Sequence, residues 1–334
     1  EQGNAIASIE WLYDEVVQEV ISHTTRTYYD EQVRPYLMVR NLTGQSYRDE
    51  DPPQIEDFGN TENVASGMEF DDYGRSIANR EWLVVDGQVV THTTRTYYDV
   101  LNRPYLVVRN LDPEYDVFLS TPPECNRDAQ GDGEPYNVCS ETVYDERGMA
   151  IASIDALERV TRTYYDDLDR PVTTVRNLVA RNANGDPLPV EEAIALAVPP
   201  PYDPDYPDEN LRSDTAYDGL GLAVASVQWL LQGSQVVTRT ARTYYDELSR
   251  PITVVQNLIP TWDALEPLPP ACNRDTTGLV QPYNICSETI YDSAGRAIAA
   301  IDPLGRITRS YVDRLGRTVA VVRNLAEAWL YAEG

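Results

Sequence analysis

The chain has 334 residues, with 54 acidic side chains against 27 basic ones and a formal net charge of −27. A surface this acidic repels a phosphate backbone, which excludes nucleic acid as a partner. Every basic residue is arginine, which removes the phosphate-loop lysine and Schiff-base chemistry, and no run of 18 apolar residues is present to span a membrane.

Read in chain order, the sequence opens inside a hairpin. Glu1-Gln-Gly3-Asn-Ala-Ile-Ala-Ser-Ile9 aligns with Glu146-Arg-Gly148-Met-Ala-Ile-Ala-Ser-Ile154, so it starts one residue after a Tyr-Asp that later copies carry. This leads us to expect a segment of a longer repetitive chain, or a unit whose sheet edges pair with identical neighbours. The first full module reads Thr25-Arg-Thr-Tyr-Tyr29-Asp30, then Arg34-Pro35, then an apolar stretch ending Val39-Arg-Asn-Leu42. It returns from Thr94 with Tyr98 and Asp99, from Thr161 with Tyr165 and Asp166, and from Arg242 with Tyr245 and Asp246. An altered copy runs from Thr308 and carries Asp313. These aspartates are 69, 67, 80 and 67 residues apart.

A second module precedes each of these. It is clearest as Glu141-Thr-Val-Tyr144-Asp145-Glu-Arg-Gly148 and as Glu288-Thr-Ile-Tyr291-Asp292-Ser-Ala-Gly295-Arg296, with diverged copies starting at Glu69 and Asp214. Asp99 and Asp246, and likewise Cys125 and Cys272, are offset by 147 residues, so units duplicate in pairs. Each module reads as two short strands around a turn, and the turn glycines Gly148 and Gly295 supply a positive φ. Three copies lengthen the hairpin where the modules join, with Trp11, Trp82 and Trp229 at one equivalent position; Asp86-Gly87 there is a strong hairpin signal.

The repeat divides the chain into a first unit at 1–42, then loop-plus-repeat units at 43–111, 112–178, 179–258 and 259–325, and the start of a further loop at 326–334. The fold class is all-β: a hairpin ribbon with proline-rich loop insertions. Five units of four strands make about 20 strands, more than the ~10 an open twisted sheet holds before curling, so the ribbon is expected to coil into a spiral shell or tube. At ~4.8 Å between strands, one unit advances the sheet by about 19 Å.

Cys125 and Cys139, and Cys272 and Cys286, sit in two matching blocks within such loops. Of the three pairings four cysteines allow, only 125 with 139 and 272 with 286 closes both blocks alike. Neither block has histidine or the Cys-x-x-Cys spacing that zinc favours, so structural disulfides are expected, and with them an extracellular or cell-surface location.

Tyr291-Asp292-Ser-Ala-Gly295-Arg296 and the linked Asp302-Pro-Leu-Gly305-Arg306 and Asp313-Arg-Leu-Gly316-Arg317 resemble the YD repeats of the rearrangement-hotspot (Rhs) family, shared by teneurins and the shell components of insecticidal toxin complexes. The resemblance implies a β-hairpin ribbon coiled into a hollow shell. In four copies of the first module Arg-Pro replaces the family's Gly-Arg.

Candidate sites are few. The Tyr-Asp pairs recur at every turn, which points to a structural ladder: the aspartate accepts hydrogen bonds at the strand end and an arginine four residues on, as at Arg34, Arg103, Arg170 and Arg250, reaches back to it. His23 and His92 share a repeat position that elsewhere holds arginine, which suits a cross-strand partner for a carboxylate rather than a catalyst. Asp128, Asp132 and Glu134 place oxygen ligands around glycines, a weak calcium pattern, and calcium is the one cofactor considered. Asn41-Leu-Thr43 matches the N-glycosylation acceptor. Serine–histidine–aspartate, Walker and dinucleotide motifs are missing, so no enzyme is expected.

Three roles follow. The first is a structural component of a secreted bacterial surface fibre or tube, with further copies of itself or flanking repeats as partners. The second is part of a toxin-encapsulating shell. The third is an adhesin whose Trp262 and Tyr202 loops bind glycans.

Overall fold

A computed structural model describes residues 6–14, 19–46, 48, 50–127, 136–203, 205–233, 235–263, 265–274 and 283–327. The described residues hold nineteen strands, one short helix, α1 (Val190–Ile194), and a 3-10 turn at Ile55–Asp57. The chain divides into two compact units, Glu1–Arg159 and Val160–Gly334.

In the first unit the strands are β1 (Ala7–Asp14), β2 (Glu19–Tyr29), β3 (Pro35–Arg40), β4 (Val64–Phe70), β5 (Ser76–Val85), β6 (Gln88–Tyr98), β7 (Pro104–Arg109), β8 (Val138–Tyr144) and β9 (Ala150–Ile154). The second holds β10 (Val160–Tyr165), β11 (Pro171–Arg176), β12 (Leu211–Tyr217), β13 (Ala223–Gln232), β14 (Gln235–Tyr245), β15 (Pro251–Gln256), β16 (Ile285–Tyr291), β17 (Ala297–Ile301), β18 (Ile307–Val312) and β19 (Thr318–Leu325). Within each unit every strand pairs antiparallel with its chain neighbours. Because the meander is antiparallel, its connections alternate between two sheet ends. All the β2–β3, β4–β5, β6–β7 and β8–β9 turns of the first unit fall at one end, and the long β3–β4 and β7–β8 loops fall at the other.

The core lies on one face. Residues directly opposite across a ladder point to the same side; Tyr28 faces Leu37 and Arg26 faces Val39, which in turn faces Ala65. The central valines Val39, Val108, Val175 and Val255 are fully buried. Three of the four inserted loops lay apolar residues over this face: Phe58 in the first, Val117 in the second, Ala193 and Ile194 of α1 in the third. A hairpin ribbon has only a half-buried face of its own, and the loops complete it.

Ladder register corrects one alignment. Glu141, Asp214 and Glu288 face Leu106, Thr173 and Thr253. The residue facing the equivalent Leu37 is Gly67, not Glu69. A Cβ at Gly67 would stand 2.8 Å from the Trp82 ring, so the indole occupies the space where other copies hold a carboxylate.

Candidate functional site

Eleven aspartates among the described residues, the first at Asp30 and the last at Asp313, end a strand in the same three-residue hairpin loop. In the Asp30 copy its backbone N–H donates to the Arg34 carbonyl at 3.0 Å and the Val33 N–H returns to the Asp30 carbonyl at 2.9 Å. This is a type I turn closed by a left-handed residue. That left-handed position is Gly74, Gly148, Gly221, Gly295, Gly305 or Gly316 in six copies, and Val33, Asn102, Glu158, Asp169 or Ser249 in the others.

The aspartate side chain fixes the loop from within. Asp246 Oδ1 accepts the backbone N–H groups of Leu248 and Arg250 at 2.9 and 3.0 Å, and Oδ2 accepts Arg250 Nε at 2.7 Å. Asp30, Asp99, Asp166, Asp292 and Asp313 repeat this set with Arg34, Arg103, Arg170, Arg296 and Arg317. At Asp145 the fifth residue is Met149, and Arg147 reaches the carboxylate instead. The Arg170 and Arg250 side chains, then their backbone N–H groups, hold the Asp166 and Asp246 carboxyls below the ordinary range. At Asp99, Asp292 and Asp313 the backbone N–H is the leading cause of the same downward shift.

Five of the turn arginines then span to the next turn. Arg34 lies over the Phe70 ring, Arg75 over Tyr98, Arg103 over Tyr144, Arg170 over Tyr217 and Arg250 over Tyr291, at 4.4 to 4.8 Å. The tyrosine hydroxyls donate onward: Tyr98 to Ser76, Tyr144 to Pro104, Tyr217 to Pro171, Tyr245 to Ala223 and Tyr291 to Pro251 carbonyls. Arg103 Nη1 would come within 3.4 Å of a Cβ at Gly148. Glycine there both adopts the positive φ and leaves room for the neighbouring arginine. These five arginines thereby latch one turn to the next by cation–π stacking, and tyrosine hydroxyl hydrogen bonds add to most of the same junctions; Met149 and Leu222 stand at the arginine position of the Asp145 and Asp218 turns.

Two further sets escaped the sequence reading. Arg26, Arg95 and Arg242 of the Arg-Thr-Tyr-Tyr motif, and Arg309 of its altered copy Arg-Ser-Tyr-Val, are buried, each stacked on the tyrosine two residues on. Arg95 Nε donates to the Val117 carbonyl at 2.7 Å, and Arg162 Nε to the Ile194 carbonyl at 3.0 Å, so these arginines fasten inserted loops to the sheet. Burial pushes the Tyr97 hydroxyl up to about 12 and raises Tyr28, Tyr164 and Tyr244 in the same direction.

The second set is a pair of asparagines at the base of each loop. Asn63, Asn137, Asn210 and Asn284 donate backbone N–H to the carbonyls of Asn41, Asn110, Asn177 and Asn257 at 2.9 to 3.0 Å. All eight are left-handed. The second member's Oδ1 accepts a backbone N–H from the start of the loop: Thr43, Asp112, Val179 and Ile259 respectively. Asn41 Nδ2 donates to the Thr61 carbonyl at 2.8 Å, which commits the amide that the glycosylation triplet would offer.

Both cystines are formed, with Cα atoms 5.5 Å apart for Cys125–Cys139 and 5.4 Å for Cys272–Cys286. Only the first member of each pair lies in a loop. Cys139 and Cys286 are buried strand residues of β8 and β16, where an alternating strand points one side chain in two into the core. Arg127 and Arg274, two residues after the loop cysteines, pair with Glu141 and Glu288. Asp214 occupies the matching position and accepts Arg212 Nε, Thr173 Oγ1 and Trp229 Nε1 at 2.7, 2.7 and 3.0 Å. Burial works to raise its carboxyl, and these three hydrogen bonds outweigh burial and hold it low.

His23 and His92 stand opposite Glu10 and Glu81 in the ladders. Trp262 is about one-third exposed and Tyr202 half-buried, on separate stretches of loop. Asp128, Asp132 and Glu134 fall outside the described residues. No helix among the described residues is long and apolar enough to cross a membrane.

No protein-family model and no curated protein matches the chain. Among solved structures it is similar to TcdB2-TccC3, at 15% identity and a TM-score of 0.28 over 96% of this chain and 18% of that one. It is similar to the Photorhabdus luminescens Tc holotoxin pore at 12% identity and a TM-score of 0.33, over 94% of this chain and 16% of that one. A porin-like protein from Bacteroides uniformis matches at 8% identity and a TM-score of 0.25, over 78% of this chain and 88% of that one. The chain therefore spans less than a fifth of the length of the two Tc chains.

Proposed function

We propose that the chain is a non-enzymatic structural ribbon, a segment or subunit of a secreted bacterial surface fibre or tube that carries loops on one sheet face. One observation supports this reading above the rest: the side chains that chemistry would need are spent on holding the repeat together. Asp30, Asp99, Asp166, Asp246, Asp292 and Asp313 each close a turn with the same arginine geometry. A catalytic carboxylate is singular and tuned, whereas these are equivalent and all held ionised. The two cystines fit a location outside the reducing cytosol.

In this reading the ribbon coils, because a twisted sheet of this many strands curls. A closed toxin-holding shell is the second reading. It is favoured by the inequivalence of the two faces, since the loops cover the face that bears Val39, Val108, Val175 and Val255.

Electron microscopy of the secreted full-length product separates them. Extended filaments support the fibre, closed hollow particles support the shell, and a folded monomer with catalytic turnover on a screened substrate would refute both.

A further inference from the structure

The tips of the Tyr-Asp turns carry an apolar row that neither the relay nor the core uses. In the second unit the β10–β11, β12–β13, β14–β15, β16–β17 and β18–β19 turns share one sheet end. Their middle residues are Leu168, Leu220, Leu248, Ala294 and Leu315, and the four leucines are 71, 82, 72 and 78% exposed. Tight turns favour small polar residues at such positions, so four exposed leucines at one repeat position need a cause.

Their backbone is already fixed. The N–H groups of Leu168, Leu220, Leu248 and Leu315 each donate at 2.9 Å to Oδ1 of the aspartate two residues before. Ordering a partner against them would therefore cost little beyond side-chain freedom. Turns recur every second strand, so the tips are spaced by about 10 Å and the five-turn row is about 40 Å long.

Charge along the row is asymmetric. The first tip carries Asp167 and Asp169 beside Leu168, the middle tip carries Glu247, and the last carries Arg314 beside Leu315 with the exposed Arg317 following. Two copies meeting tip to tip in the same direction would set acid on acid at one end and arginine on arginine at the other. Reversed by a two-fold axis through the middle turn, they set Asp167 and Asp169 on Arg314, Leu168 on Leu315, Leu220 on Ala294 and Leu248 on its own copy. Only the two Glu247 side chains then meet a like charge in this set.

We propose that this row of turn tips is a self-association surface, and that it pairs with the same row of a second copy of this chain in the antiparallel, two-fold sense. A periodic apolar row is met along its length by a surface of the same period, and the isologous arrangement is the commonest way for one surface to bury itself. The acidic first tip makes an anionic lipid surface a poor alternative.

That this pairing would join structural ribbons rests on the role proposed above, although the evidence for the pairing does not. Filaments built through sheet edges would survive loss of the tip leucines, so failure of the pairing leaves the structural role standing. The experiment is sedimentation of the chain across a concentration series, with folding checked by circular dichroism. We expect a monomer–dimer equilibrium that Leu168→Asn, Leu220→Asn, Leu248→Asn and Leu315→Asn together abolish. Asp167→Arg with Asp169→Arg in one chain, and Arg314→Glu in another, are each expected to weaken self-association by about tenfold or more. An equimolar mixture of the two charge variants is expected to recover dimers, because each reversed tip then faces its complement. A wild-type chain that stays monomeric at millimolar concentration overturns the proposal. So do charge variants that pair like wild type, or a mixture that fails to recover.

Discussion

Replacing Asn210 with alanine tests the loop clamp at its most defined copy. Asn210 is buried and left-handed at φ 52°. Its side chain accepts the Val179 N–H at 3.0 Å and donates to the Val179 carbonyl at 2.8 Å. Two neutral hydrogen bonds contribute about 2 kcal/mol net, and a left-handed alanine costs about 1 kcal/mol more. Asn210→Ala is therefore expected to destabilise the second unit by about 3 kcal/mol, and Asn210→Gly, which keeps the backbone conformation, by about 2 kcal/mol. Urea unfolding at constant m measures both, and limited proteolysis of the 179–209 loop, faster in either variant, reports the local opening. Two variants within about 0.5 kcal/mol of wild type, or an alanine milder than the glycine, would refute the assignment of this residue as the clamp.

Val33 sits at φ 64°, a strained place for a β-branched side chain, and Val33→Gly is expected to raise stability by about 1 kcal/mol in the same urea assay. Gly148→Val does the reverse, adding strain at φ 89° and crowding Arg103. The turn aspartates have folded-state pKa values below the ordinary 3.8, so their stabilisation is complete above that value and is lost as pH falls through the lowered folded values. Melting temperature should fall steeply on that acid limb, and less steeply after Asp166→Asn and Asp246→Asn. Cys272→Ser with Cys286→Ser removes a cross-link between residues 14 apart, about 3 kcal/mol in the chain-entropy account, and calorimetry with and without reductant measures it.

The hairpin order was legible because it is written twice, in apolar alternation and in the spacing of the Tyr-Asp pairs. The arginine latch was half legible. The distance from Asp30 to Arg34 announces the pair, but the stacking of Arg34 on Phe70 joins residues 36 apart whose proximity depends on ladder register. Asn41 and Asn63 look like ordinary loop polar residues, and their partnership exists only once the intervening loop has closed. Arg95 was hidden for another reason: composition assigns arginine to the surface, and nothing local shows that a loop carbonyl from Val117 will come down to meet it. Gly67 was missed because this copy has a glycine where the others carry a carboxylate, although it stands four residues before Asp71 as Glu141 does before Asp145; the Trp82 ring fills the space a side chain would take.

The asparagine clamp separates the history of the loops from that of the sheet. The Asn41–Asn63 and Asn177–Asn210 loops differ by half in length yet leave their strands in the same register. Lengthening by that much changes loop-closure entropy by roughly 0.4 kcal/mol, less than one hydrogen bond. Insertions, deletions and whole-segment exchange between two fixed asparagines are thus close to neutral for folding, and the loops can diverge at a rate set by what they meet outside while the strands beneath them stay constrained.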